Sequence, residues 1–251
     1  MNIVVDNLMI KYEDSGHGPV LLLLHGWGSD LKAFDTLSER LSKKYRVIRL
    51  GLPGFGGSDK PSDDWFVGDY ANFLADFIKK LKIDNLYAVI GHSFGGRITI
   101  KAVGNGLLKP KKIILLGAAG IKHSNSLRSV VFGLFAKIGK VIFKLPLLNK
   151  FAKSARKKLY KAAGSTDYIN SAQMKQIFHN AINEDLKSFT AKIKVPSLLI
   201  WGENDIESPI ADAKVFNGLI ENSKLVVIPN AGHFVYIDAF EATMQEINKF
   251  L

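Results

Sequence analysis

The chain has 251 residues, 47% of them hydrophobic and 23% charged, with a net charge of +11 and no cysteine. That balance excludes a disordered polymer, and the lack of thiols excludes disulfides, thiolate metal sites and a cysteine nucleophile, so covalent catalysis would have to use oxygen or nitrogen. The length suits one large core carrying an insertion better than two small independent domains.

In chain order, MNIVVDNLMIKYEDSGHG alternates apolar and polar residues and reads as a strand pair, without the basic start and long apolar stretch of an export signal. The longest apolar run, Val20–Leu24, falls far short of the roughly 20 residues needed to cross a bilayer. A soluble, cytoplasmic protein is therefore expected. PVLLLLHG is a buried strand, and residues 30–43 have helical spacing through Leu31, Phe34, Leu37 and Leu41. YRVIRL is the next strand, LGLPGFGGSDKP a glycine-rich loop, and residues 65–81 a helix whose stripe includes Tyr70, Phe73, Leu74, Phe77, Ile78 and Leu81. LYAVIG then predicts a strand, residues 94–103 a helix and KKIILLG a strand. Strands this apolar are covered on both faces, so the pattern predicts an α/β fold with a mainly parallel, doubly wound sheet.

From residue 121 the rhythm changes, and residues 121–195 offer helical patterns only. Alternation resumes with the strand SLLIWG, a helix opened by Ser208 and Pro209 and running to about residue 220, the strand KLVVIP and a last helix over 239–251. The domain reading is thus a core built from 1–120 and 196–251, interrupted by a helical insertion at 121–195. The insertion holds 15 Lys and Arg against 3 acidic residues, whereas the rest of the chain holds 19 against 20. A neutral body with a basic attachment points any electrostatic partner to that attachment. Lys137, Lys140 and Lys144 share one face of an amphipathic pattern there, and Arg156, Lys157, Lys158 and Lys161 add a cluster. Packing over the protein's own active-site mouth explains such a helix. Contact with an acidic partner or an anionic membrane surface is the alternative, and no nucleic acid is expected.

The sharpest chemical signal is Gly91-His92-Ser93-Phe94-Gly95, a G-x-S-x-G between a predicted strand and a predicted helix. A strand turning abruptly into a helix strains the central residue, which small neighbours permit, and lifts the Ser93 hydroxyl away from the sheet. Serine needs a base to take its proton and a third group to fix that base's tautomer. Asp205, in WGEND, and His233, in NAGHF, both follow predicted strands, which puts them at the same sheet edge as Ser93. Glu203, Glu207 and Asp238 are rival acids for the Asp205 position. The oxyanion donors are assigned to the backbone N–H of Phe94, next to the nucleophile, and of Trp27 in the loop His25-Gly26-Trp27-Gly28. His25 and His92 are expected to support their loops rather than to act as bases.

These motifs (HGWG, LPGFGGSDKP, GHSFGG, WGENDIESP and NAGHF) make the chain similar to the α/β-hydrolase superfamily along nearly its whole length. The resemblance implies a cap domain at 121–195, inserted after the sixth core strand, and an active site beneath it. Serine rather than aspartate at the elbow resembles the esterases, C–C bond hydrolases and perhydrolases of that superfamily, with capped carboxylesterases most alike. A small-molecule ester or acyl substrate follows, with an acyl-enzyme on Ser93. A C–C bond hydrolase, a perhydrolase or a ligand-binding protein with a vestigial site are the alternatives. Substrate contacts are assigned to Trp27, Phe94, Tyr168 and Phe178, with Met174 a further candidate. No cofactor and no metal site is expected, because neither phosphate-cradle nor metal-ligand spacing occurs.

Overall fold

A computed structural model describes residues 1–122 and 174–251. The sheet has eight strands: β1 (Asn2–Val5), β2 (Leu8–Ser15), β3 (Val20–Leu24), β4 (Arg46–Leu50), β5 (Leu86–His92), β6 (Lys112–Leu116), β7 (Ser197–Gly202) and β8 (Ser223–Ile228). Their spatial order is β1-β2-β4-β3-β5-β6-β7-β8. β1 pairs with β2, and β2 with β4, in antiparallel fashion, and every later pairing is parallel. The hairpin joining β1 and β2 turns through Asp6 and Asn7, both at positive φ, the conformation a two-residue turn between twisted strands requires.

The period-2 geometry of the strands sends successive side chains to opposite faces, so the apolar runs feed two separate cores. Leu22, Leu24, Val89, Leu115 and Leu199 pack on one face, and Leu21, Leu23, Ile90, Ile114 and Leu198 on the other. Numbered along the described residues, α1 (Asp35–Leu41) and α8 (Phe240–Phe250) cover the second face with Leu37, Leu41, Met244 and Ile247. The first face is covered by α2 (Val67–Lys80), α3 (Phe94–Gly104) and α6 (Ile210–Leu219). Tyr70, Phe73, Leu74, Phe77 and Ile78 of α2 are all buried. At about 1.5–3 kcal/mol for each fully buried large apolar side chain, this stripe alone holds α2 on the sheet.

Two expectations shift. The stretch read as a helix over 30–43 opens instead as a 3₁₀ turn over Leu31–Phe34, because the Asp30 side chain accepts the Lys32 N–H at 2.8 Å and tightens the first turn. The helix after β7 begins at Ile210 with Pro209 itself as the N-cap, at ψ 150°, rather than with Ser208 in that role. The Ser208 carbonyl instead accepts the buried Trp201 indole N–H at 2.8 Å.

The chain leaves the sheet after β6 and returns at β7, where the sequence reading puts its helical insertion. Within 174–195 the described residues form α4 (Lys175–Asn183) and α5 (Lys187–Thr190), with no strand. Arg97 of α3, 5% exposed, donates to the carbonyls of Ala181 and Glu184, and Lys101 pairs with the Glu184 carboxylate at 2.5 Å. The C-terminal end of α4 is thereby tied to α3, the helix that follows Ser93. Tyr168, the amphipathic lysine face and the Arg156 cluster lie outside the described residues. No helix among the described residues is long and apolar enough to cross a membrane.

Candidate active site

Ser93 follows β5 and caps α3 with φ 49° and ψ −109°, a positive-φ conformation that non-glycine residues rarely adopt. Its N–H donates to the Leu116 carbonyl at 3.1 Å, and its own carbonyl accepts from Arg97 and Ala119 at 3.0 and 3.1 Å. The strained turn is thus over-determined by β6 and α3. The flanking glycines are required sterically. A Cβ on Gly91 would stand 2.6 Å from the Gly95 carbonyl oxygen, a Cβ on Gly95 would overlap the Leu24 carbonyl, and one on Gly96 would overlap Ala118.

His233, in the turn after β8, is buried and holds Nδ1 at 3.0 and 2.9 Å from the two carboxylate oxygens of Asp205. Asp205 lies in the turn after β7, and its Oδ1 also accepts the N–H groups of Glu207 at 3.0 Å and Ser208 at 2.9 Å. A carboxylate fixed by two backbone donors is an acceptor only, so His233 donates from Nδ1 and presents Nε2 as the basic nitrogen. Gly117, at the end of β6 with φ 49°, lies against this pair, and a Cβ there would stand 3.0 Å from Asp205 Oδ2 and 3.2 Å from His233 Nδ1. The rival acids are also placed. Glu203 accepts the Asn230 N–H at 3.1 Å and Asp238 the Gly232 N–H at 2.8 Å, so both brace the backbone of the histidine turn. The Glu207 carboxylate lies 3.4 Å from His233 Nε2. The Ser93 hydroxyl makes no hydrogen bond among the described residues.

The loop bearing Gly26 and Trp27 abuts the elbow, since a Cβ on Gly26 would come 3.4 Å from Ser93 Cβ and 2.9 Å from His92 Nδ1. The N–H of Phe94, in the first turn of α3, has no intrahelical acceptor, and the helix's positive end points the same way. The Trp27 ring packs 4.9 Å from Phe55, 4.9 Å from Phe94 and 5.0 Å from Phe178, which brings together three of the four residues assigned to substrate contact. Met174, also buried, touches the Gly54 turn of the glycine-rich loop. Among the described residues no group of three or more histidines and carboxylates converges as it would around a metal ion.

His25 and His92 are fully buried and structural in their bonding. His25 donates from Nδ1 to the Gly26 carbonyl at 2.7 Å and accepts the Leu52 N–H at Nε2 at 3.0 Å, pinning the Trp27 loop to the glycine-rich loop. His92 Nε2 donates to the His233 carbonyl at 3.1 Å. Burial lowers the pKa of His25 to about 4 and that of His92 well below its ordinary value, so both are neutral in the folded protein. Below pH 6.5 the unfolded chain gains protons that these two sites refuse. Stability is therefore unaffected above that pH and falls as the medium is acidified, by about 1.4 kcal/mol per pH unit per histidine, until His25 itself titrates near pH 4. Urea unfolding at pH 7, 6 and 5 should show this slope, and a His25→Gln variant should lose about one histidine's share of it; an unchanged slope would refute the assignment.

Residues 19–240 match the family described as alpha/beta hydrolase fold. The chain is 26% identical, over 91% of its length and 82% of the relative's, to 2-hydroxy-6-oxo-6-(2'-aminophenyl)hexa-2,4-dienoic acid hydrolase of Metapseudomonas resinovorans. It is 25% identical to pimeloyl-[acyl-carrier protein] methyl ester esterase of Aliivibrio fischeri, covering 96% of this chain and 97% of that one. Among solved structures, a bacterial membrane phospholipase A shares the fold with a TM-score of 0.78 at 24% identity, covering 100% of this chain and 84% of the other. With its eight-stranded sheet, its G-x-S-x-G elbow and this match across most of its length, the chain belongs to the α/β-hydrolase superfamily and is a hydrolase of that fold.

Proposed function

We infer that the protein cleaves a carboxylic ester or related acyl compound through an acyl-enzyme on Ser93. The observation carrying this reading is the His233–Asp205 pair, 2.9 Å at its shorter contact, at the same sheet edge as the strained Ser93 turn and the Gly26–Trp27 loop. In the proposed reaction Ser93 Oγ attacks the carbonyl carbon while His233 Nε2 takes its proton. The N–H groups of Trp27 and Phe94 receive the oxyanion. As the carbon–oxygen bond breaks, His233 returns the proton to the leaving alkoxide; water, deprotonated by the same nitrogen, then releases the acid. The aromatic wall of Trp27, Phe94 and Phe178 supports an apolar acyl group, and likeness to a methyl ester esterase supports an ester. The basic excess of 121–195 supports an acidic carrier or an anionic membrane surface as the partner on that side, with 121–195 as the cap.

C–C bond cleavage by the same residues is the second reading, favoured by the dienoic acid hydrolase relative. A fluorophosphonate probe followed by peptide mass spectrometry should place one adduct per chain, on Ser93. An adduct elsewhere, or none, would refute the nucleophile. Turnover of p-nitrophenyl acyl esters without turnover of a vinylogous 1,5-diketone supports the ester reading, and the converse supports C–C cleavage.

A further inference from the structure

The imidazole of His233 is bracketed by two carboxylates. Asp205 takes the Nδ1 side and Glu207, two residues on in the same turn, stands 3.4 Å from Nε2. The turn itself sets this spacing, because the Glu207 N–H is bonded to Asp205 Oδ1 at 3.0 Å, which fixes the two acids relative to each other. Other titratable groups facing the ring are few among the described residues. His92 lies 4.7 Å away, centroid to centroid, and is neutral through burial, while Asp238 is engaged with the Gly232 N–H. Phe234 covers another edge at 5.4 Å.

We propose that Glu207 is a positioning and specificity residue of the reaction, stabilising the protonated Nε2 of His233 and turning the reacting centre against acyl groups that carry a negative charge. A carboxylate beside a neutral imidazole nitrogen faces a lone pair and gains nothing, whereas beside the N–H of an imidazolium it is attracted. Its influence therefore appears when the proton of Ser93 arrives, and disappears when that proton leaves for the alkoxide. The same fixed charge repels a substrate carboxylate brought within a few ångströms of Ser93. Partial solvent contact of Glu207, whose side chain is 27% exposed, screens this effect without abolishing it. The basic excess of 121–195 and the acid at Nε2 then divide the labour: anionic character is welcome at the insertion and unwelcome at the acyl carbon.

The proposal rests on the serine hydrolase reading, and the full-length chain tests the two separately. Wild type and Glu207→Gln are compared for kcat/KM against pH with p-nitrophenyl acetate, and for the rate ratio of p-nitrophenyl acetate to the anionic p-nitrophenyl hemisuccinate. The midpoint of the acid limb is expected to fall by about half to one pH unit in Glu207→Gln, since the imidazolium loses a stabilising charge. The neutral-over-anionic ratio is expected to drop roughly threefold to tenfold. Should Glu207→Gln lose native ellipticity, Glu207→Asp, which withdraws the carboxylate by one methylene, carries the same test with smaller shifts in the same direction. A wild-type chain that accepts the phosphonate on Ser93 and turns over, paired with variant profiles and ratios that overlay it, overturns the role of Glu207 alone. A wild-type chain that takes no phosphonate on Ser93 overturns the serine hydrolase reading instead.

Discussion

Ser93→Ala is expected to lower kcat for a short p-nitrophenyl ester by roughly 10⁴- to 10⁶-fold, and His233→Ala by a similar factor, with little further loss when the two are combined. The non-additivity follows from their acting on one proton: without the base the hydroxyl is not activated, and without the hydroxyl the base has nothing to activate. Neither change should unfold the protein. The Ser93 hydroxyl makes no hydrogen bond among the described residues, and the strained turn is held by backbone bonds to Leu116, Arg97 and Ala119 that alanine retains. Kinetics of the two single variants and the double variant, alongside thermal melts, check this; a double variant whose loss is the product of the single losses would place the two residues in independent steps.

Gly95→Ala should have one of the largest structural effects of any glycine-to-alanine change among the described residues. Its Cβ would overlap the Leu24 carbonyl and approach the His25 carbonyl to 2.8 Å, both of them backbone atoms at the base of the Trp27 loop. Backbone cannot rotate out of the way as a side-chain tip can, so β3 and α3 must separate. We expect a cost of about 3 kcal/mol or more, together with loss of activity from displacement of the Trp27 N–H. Gly106→Ala makes a good control for the act of substituting a glycine, since nothing lies within 4 Å of its added methyl, although its φ of 72° still brings some strain. Circular dichroism melts of the pair test the argument. Near-equal melting temperatures would show that the helix–strand contact can yield.

Much of the fold was legible because its strands are short apolar runs ended by glycine or by a turn, as VLLLL and SLLIWG illustrate, and strand-end placement then put Ser93, Asp205 and His233 at one sheet edge. What escaped the sequence was set by contacts between distant segments. Gly117 stands at the end of β6 as the other site residues stand at the ends of their strands, and that position could have singled it out, but its closeness to the Asp205–His233 pair depends on how β6, β7 and β8 twist together. Glu207 was weighed only as a competitor for Asp205, because spacing along a turn does not say which side of an imidazole a carboxylate reaches. The separation of Val235–Asp238 from α8 by Ala239, at φ −140° and ψ 58°, likewise leaves no periodic trace in so short a segment.

Chain departs from β6 and comes back on β7, which are hydrogen-bonded neighbours in register from Ile113 opposite Ser197 to Leu116 opposite Ile200. Because the strands are parallel, exit at Leu116 and re-entry at Ser197 lie at opposite ends of the pair, but the excursion is closed just beyond β6, where the Leu186 N–H donates to the Gly120 carbonyl at 2.8 Å. A loop whose feet are pinned so closely can be lengthened, shortened or exchanged at small entropic expense, each doubling costing only about 0.6 kcal/mol. Selection is thereby free to rewrite that stretch while Ser93, Asp205 and His233, anchored after strands on either side of it, stay where they are.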